Sequence, residues 1–211
     1  PDPVDFNIQR LGLWLTYNQK SAISEAEWQS IQTDVVPELT GKIVVGIKFS
    51  HDAASVSLGV AARTKDGRIY TEVIDCRSTR SGTAWILDFL KKTAGSTKKV
   101  IIDGASGQQL LADEMKAAKL KPPHLPTTRD VITANAVFEP RIEQGILCHS
   151  GQPSLAQAAS SCEHRAIGSN GGFGYRAIKE GVDISVLDCA VLACWGVDEF
   201  KETQIRQRIS Y

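Results

Sequence analysis

The sequence predicts an α/β fold with one mixed central sheet flanked by helices, and three observations support this prediction. Residues 42–78 contain three runs with the apolar alternation that is typical of strands. Residues 98–120 have the pattern of a buried strand, a glycine-containing turn and a helix. Residues 184–200 are strongly apolar, which predicts a final helix packed on the sheet.

The first three strands are predicted to form an antiparallel meander. Lys65-Asp66-Gly67 is a turn of the Asp-Gly kind between two alternating runs, which is a strong hairpin signal. The three strand segments are "KIVVGIKFS", "ASVSLGVAARTKDG" and "RIYTEVIDCRS".

The rest of the chain is predicted to be mainly helical around one more strand. The apolar run from Val100 to Ile102 is typical of a central strand that is covered on both faces. Helices are predicted in "GTAWILDFLKKTAG", "DVITANAVFEPRIEQG" and "QPSLAQAASSCEHRA", followed by a glycine loop, "GSNGGFGYRAIKEGVD". Three meandering strands, a helix, a parallel-type strand and closing helices are the order of an RNase H-like fold.

Two regions are predicted: a helical linker segment over residues 1–40 and the RNase H-like domain over residues 41–211. "DFNIQRLGLWLT", residues 5–16, has apolar residues at roughly helical spacing. "SAISEAEWQSIQ" predicts a second short helix, with Ser24 as N-cap and Glu27 three residues later. The chain begins at Pro1, which suggests a fragment of a longer protein.

The composition limits the possible partners. Lys plus Arg and Asp plus Glu both number 24, so contact with nucleic acid must come from a local patch or a partner chain. The five cysteines form no CxxC pair, which favours buried thiols in a reducing compartment over a zinc or disulfide framework. The absence of an apolar run of about 18 residues predicts no membrane insertion.

Asp103 is the first candidate for metal-dependent phosphodiester cleavage. That chemistry needs carboxylates that converge on Mg²⁺ or Mn²⁺. Asp103 ends the strand "VIID", and open sheets bind ligands at the carboxyl ends of such strands. Alternatively, Asp103 caps the helix that starts near Gly107, or binds turn amides.

Asp183 and Asp188 are candidates because both lie at the start of the final helix. Asp183 is preferred as the metal ligand, although an aspartate at that position is also explained as an N-cap. Asp188, five residues on, is the alternative ligand.

Lys48 stands just past Gly46, where a nuclease sheet of this kind normally has an acidic residue. Asp52 is the nearest acid able to replace it, although an aspartate in a turn is usually explained by turn chemistry. Lys48 itself is a candidate for binding the scissile phosphate as a point charge. Arg165 and Arg176, near the glycine-rich segment, suit contact with a phosphate backbone.

Several segments resemble the large terminase subunit of tailed bacteriophages. "DFNIQRLGLWLTYNQKSAISEAEWQS" resembles the segment that joins the ATPase and nuclease parts of that family. Three further segments resemble the nuclease part of that family: "VIIDGASGQQLL", "LPTTRDVITANAVFEPRIEQGILCHSGQPSLAQA" and "GSNGGFGYRAIKEGVDISVLDCAVLACWG".

This resemblance implies an endonuclease that cuts concatemeric double-stranded viral DNA with two Mg²⁺ or Mn²⁺ ions. By position, the second and third metal-binding acids of the family correspond to Asp103 and Asp183. The first corresponds to Lys48, which cannot act as such a ligand. Asp52 and Asp188 therefore complete the set of candidate ligands. The implied partners are DNA, the ATPase half of the same protein, the small terminase subunit and the portal protein. The implied location is the host bacterial cytoplasm, at the procapsid.

Two other interpretations remain open. One is another RNase H-like nuclease or a resolvase, although these usually carry an acid on the first strand and a basic cleft. The other is a catalytically degenerate docking domain of the packaging motor, in which Lys48 marks a lost metal site.

Overall fold

The computed structural model describes residues 21–168 and 171–200. The helices are α1 (Glu25–Ser30), α2 (Ala84–Thr93), α3 (Gln108–Ala117), α4 (Thr128–Glu143), α5 (Pro153–Ser160) and α6 (Ser185–Glu199). The strands are β1 (Leu39–Phe49), β2 (Ser55–Thr64), β3 (Ile69–Ser78), β4 (Thr97–Asp103), β5 (Leu147–Cys148), β6 (Cys162–Ile167) and β7 (Gly172–Ala177). The helix predicted over residues 5–16 lies outside the described residues. None of the described helices is long and apolar enough to cross a membrane.

The main sheet has five strands in the order β4-β1-β2-β3-β5. The pairs β1–β2 and β2–β3 are antiparallel, which confirms the predicted meander. The pairs β1–β4 and β3–β5 are parallel, so the sheet is mixed, as predicted. Gly67 has φ +90° in the predicted hairpin turn, a conformation that glycine adopts at little cost.

The position predicted for β4 was wrong. β4 lies at the end of the sheet, where the segment around His124 covers its outer edge. The His124 backbone donates to the Val100 carbonyl at 2.8 Å and accepts from the Ile102 N–H at 3.0 Å. Ile101 belongs to one apolar core, and Val100 and Ile102 belong to the other. The apolar run therefore indicates that β4 is buried on both faces. It does not indicate a central position, because an end strand whose edge is covered is buried in the same way.

The predicted helix through "SSCEHRA" and the predicted glycine loop were also wrong. Cys162–Ile167 and Gly172–Ala177 instead form β6 and β7, which pair as antiparallel strands. The glycines of β7 obscure its strand pattern in the sequence. In the structure, Gly172 allows β7 to pack closely against α4. A Cβ on Gly172 would lie 2.4 Å from Cδ1 of Ile132 on α4.

Two apolar cores lie on opposite faces of the main sheet. One contains α2 and α3, and the other contains α6 together with α1, α4 and α5. α6 packs directly across β1 and β2, where Gly46 and Gly59 are paired in register. Trp28 of α1 is buried in the α6 core, so the described part of the predicted linker packs against the domain. The division at residue 40 stays a prediction.

His149 joins α1 to the segment after β5. Its ring is buried and stacks on Trp28, with 4.2 Å between ring centroids. Nε2 lies 2.9 Å from the Trp28 carbonyl, and Nδ1 lies 2.9 Å from the backbone N of Gly151. The neutral ring satisfies both contacts, because Nε2–H donates and Nδ1 accepts.

We expect this histidine to make stability depend on pH. Burial lowers the pKa of His149 below its ordinary value of 6.5, and the hydrogen bond to the Trp28 carbonyl opposes this effect. As pH falls below 6.5, His149 becomes protonated in the unfolded chain while it stays neutral in the folded chain. This difference in proton binding favours the unfolded state, so the free energy of unfolding decreases. The free energy of unfolding of the wild type should therefore fall relative to His149→Gln between pH 7 and pH 5. Urea unfolding at both values measures this difference, and two parallel pH profiles would contradict it.

Candidate active-site cleft

A cleft of about 760 Å³ opens at the carboxyl ends of the parallel strands β1 and β4. Open α/β sheets bind ligands at this position. The hairpin of β6 and β7 and the start of α4 form the opposite wall. The polar side chains that line the cleft include Lys48, His51, Asp103, Ser106, Gln108, Thr128, Arg165, Arg176, Ser185 and Asp188.

Lys48, Asp103 and Asp188 form a partly buried ion cluster in this cleft. Lys48 and Asp103 are register partners on adjacent parallel strands, so their side chains leave the same face of the sheet. The Nζ of Lys48 contacts Oδ2 of Asp103 directly and lies 3.8 Å from Oδ2 of Asp188. Asp188 is in the first turn of α6, which lies on that face of β1. The three side chains are only 18–19% exposed.

Charge interactions within the ion cluster oppose the cost of burial. Burial opposes the charge on Lys48, but Asp188 and Asp103 outweigh it and raise the pKa of the ammonium. Burial raises the pKa of Asp188 to about 6; Asp103 adds to this effect and Lys48 opposes it. The cluster places the Lys48 ammonium between the carboxyl groups of Asp103 and Asp188.

Asp183 lies outside this cluster. Its Oδ1 accepts the backbone N–H of Ser185 at 2.9 Å and the Ser185 hydroxyl at 2.6 Å. Its Oδ2 accepts the hydroxyl of Ser55. The N-cap explanation offered for Asp183 is wrong, because Ile184 is the N-cap of α6 and makes no side-chain cap hydrogen bond. Asp183 instead accepts the backbone N–H two residues further on, which is the contact of an Asx-turn.

Asp52 lies in the exposed turn between β1 and β2. Its Oδ1 accepts the Ser50 hydroxyl at 2.6 Å and the backbone N–H of Ala54 at 3.0 Å, and these bonds lower the pKa of Asp52. Asp52 and Asp183 both line a neighbouring pocket of about 390 Å³. The structure thus brings Asp103 and Asp188 together with Lys48, and places Asp52 and Asp183 beside them. Metal binding by any of these acids stays a prediction.

The sequence contained a signal that favours Asp188 over Asp183. Asp188 is the single charged residue in the stretch 184–197. A charged residue is rarely buried unless it is paired, so a lone acid within an apolar helix indicates a partner. The register of Lys48 with Asp103 was a further feature that sequence analysis missed.

The donor set of the cleft fits one divalent ion. Among residues 21–168 and 171–200, no group of three or more His, Cys, Asp or Glu side chains converges to hold a metal. Asp103 and Asp188 do converge on a common point, which the ammonium of Lys48 approaches. Mg²⁺ is usually bound by one or two carboxylates together with substrate phosphates and water. Two carboxylates therefore suffice for one ion.

Comparison with known proteins first defines the class of fold. No protein-family model matches the sequence, and no curated protein matches it. Solved structures do match, with 11 chains found. The matching structures are RNase H-like nucleases, which confirms the predicted fold class.

Among the similar structures are several large terminases of bacteriophages. The HK97 large terminase is 14% identical with a TM-score of 0.61, and the match covers 82% of this chain and 43% of that one. A large terminase from a thermophilic bacteriophage is 12% identical with a TM-score of 0.60, covering 86% and 46%. The large terminase nuclease of the thermophilic phage G20c, solved with bound magnesium, is 14% identical with a TM-score of 0.55, covering 82% and 97%.

These matches establish likeness of fold. The chain spans less than half the length of the first two terminases and nearly all of the G20c nuclease. The resemblance to terminase nuclease domains that the sequence indicated is confirmed at the level of the fold.

Proposed function

We propose that this chain is the nuclease domain of a bacteriophage large terminase, which hydrolyses phosphodiester bonds in concatemeric double-stranded DNA. One observation carries the proposal: Asp103 and Asp188 converge with Lys48 in an open cleft, on a fold shared with terminase nucleases. Carboxylates at that position suit hard cations and phosphate chemistry.

The cleft offers cations for the DNA backbone even though the whole chain has zero net charge. Arg165 and Arg176 line the hairpin wall, and Lys48 lines the sheet wall. Arg176 is held by Glu163, with 2.7 Å between Nε and Oε1. Phosphate contacts of this kind position DNA without reading its sequence. We therefore expect weak and salt-sensitive binding by the isolated chain.

Asp103 and Asp188 would hold one divalent ion, Mg²⁺ or Mn²⁺. When bound, such an ion supplies Lewis-acid stabilisation of the charge on the reacting phosphate. Lys48 shifts from the carboxylates towards a phosphate oxygen when DNA enters, and acts there as a point charge. β1 and β4 keep the backbones of Lys48 and Asp103 in register, so only the flexible end of the lysine side chain has to move.

The proposal extends to the partners of a packaging motor. An ATPase half of the same protein would supply movement along DNA, a small terminase subunit would supply site recognition, and a portal protein would supply the docking site. The expected location is the host bacterial cytoplasm, at the procapsid. The neutral chain supports this division of labour, since it lacks the net charge of an autonomous DNA binder.

Nicking of supercoiled plasmid in Mn²⁺, Mg²⁺ and EDTA tests the nuclease proposal. We expect wild type to nick DNA only with a divalent ion, and Asp103→Asn to lose activity by about 100-fold or more, which is typical for removal of an electrostatic catalytic group. Retained activity in a folded Asp103→Asn variant would contradict the proposal.

The position of Lys48 favours a second candidate, a degenerate docking domain of the motor. In that case Lys48 permanently satisfies Asp103 and Asp188, and the domain only positions its neighbours. Thermal unfolding with and without Mn²⁺ separates the two functions. A nuclease that binds the ion should gain about 2.7 kcal/mol at 100 times the dissociation constant, whereas a docking domain should gain nothing.

A further inference from the structure

We propose that Lys48 replaces one of the two divalent ions that the resemblance to large terminases implies, so that the cleft works with one ion. The inference rests on the proposed function, because it concerns the same cleft. It assigns Lys48 the role of a built-in cation that positions phosphate.

The contacts of Lys48 carry this proposal. Its Nζ contacts Oδ2 of Asp103 and lies 3.8 Å from Oδ2 of Asp188, so an ammonium already lies between two carboxylates. The backbone of Lys48 is held on both sides, by Asp103 across the parallel pair and by Ser57 across the antiparallel pair. The regular sheet therefore fixes the backbone position from which the Lys48 side chain extends, as it would for a metal-binding aspartate at that position.

The formal charges also agree with this exchange. Lys48, Asp103 and Asp188 together carry a net charge of minus one, and one divalent ion brings it to plus one. Three carboxylates with two divalent ions reach the same net charge of plus one. Substitution of lysine for an acid, combined with loss of one ion, thus leaves the charge that faces the phosphate unchanged.

Within residues 21–168 and 171–200, the two neighbouring acids Asp183 and Asp52 do not restore a second ion site. The Asp183 carboxylate accepts hydrogen bonds from Ser55 and Ser185, and Asp52 accepts bonds within its own exposed turn. A second ion at Asp183 would have to compete with these hydroxyl and amide donors. The geometry therefore supplies two convergent carboxylates, and the lysine provides the further positive charge.

Counting bound Mn²⁺ tests the proposal without relying on activity. The electron paramagnetic resonance signal of free Mn²⁺ gives the ions bound per chain, and thermal unfolding of the same samples reports folding. We expect one ion for wild type and none for Asp103→Asn. Lys48→Asp should bind two ions, and Lys48→Met, which removes the charge without adding a ligand, should bind one.

Each other result has a defined meaning. Two ions in wild type would overturn the role of Lys48 and leave the nuclease proposal standing. A single ion in both wild type and a folded Lys48→Asp would also overturn the exchange. Absence of binding in all variants would instead remove the proposed metal-dependent nuclease. If Lys48→Asp does not fold, the wild-type and Lys48→Met counts still decide between one ion and two.

Discussion

Replacement of Asp188 with Asn is expected to lower the rate of DNA cleavage by about 100-fold or more. The asparagine keeps the shape of the side chain but removes one of the two carboxylates that meet at Lys48. Loss of that carboxylate weakens cation binding and leaves Lys48 paired with Asp103 alone. The measurement is single-turnover plasmid nicking in saturating Mn²⁺, with thermal unfolding of the same preparation as a check on folding.

Asp183→Asn and Asp52→Asn are the matched controls for this variant. Asp183 already accepts bonds from Ser55 and Ser185, and Asp52 is exposed in a turn, so both variants should cleave within about tenfold of wild type, equivalent to roughly 1.4 kcal/mol. If Asp183→Asn lost as much activity as Asp188→Asn, the ligand assignment derived from the geometry would be wrong.

Gly46→Ala is expected to destabilise the fold by about 3 kcal/mol, at the upper end of the cost of overpacking. A Cβ on Gly46 would lie 2.1 Å from the carbonyl oxygen of Cys189 and 2.9 Å from the backbone N of Ala193. Both contacts are with the backbone of α6, so no side chain can rotate to make room. The helix must move away from β1, which also displaces Asp188 from Lys48.

Urea unfolding of Gly46→Ala measures this effect, with Gly95→Ala as control. A Cβ on Gly95 meets nothing within 4 Å, so the control should stay within about 0.5 kcal/mol of wild type. Equal stability of the two variants would mean that α6 does not lie against β1 as closely as described.

The fold was predictable wherever local pattern and tertiary environment agreed. β1, β2 and β3 alternate along their length and are joined by the Asp66-Gly67 turn, so both their type and their pairing could be inferred. The hairpin of β6 and β7 could not be inferred, because glycines such as Gly172 are needed there for packing against α4 and look like loop residues. The place of β4 at the sheet end depends on the contact with His124, which no local pattern encodes.

The site was predictable only in part, for a similar reason. Asp103 could be located because a strand end is visible in the sequence. The choice between Asp183 and Asp188 depends on where α6 begins and which side faces β1. The lone charge of Asp188 in an apolar stretch indicates a buried partner, but it does not identify that partner. The pairing of Lys48 with Asp103 is a tertiary contact between two residues that are 55 positions apart in the chain.

A crystal structure determined in Mn²⁺, with anomalous scattering used to locate the ion, tests the central claim most directly. The claim is that Asp103 and Asp188 form the metal site of a terminase-type nuclease. We predict one anomalous peak within ligand distance of both carboxylates, with the Lys48 ammonium displaced from between them. A peak between Asp52 and Asp183, or an ordered cleft that stays free of Mn²⁺ at saturating concentration, would contradict the claim.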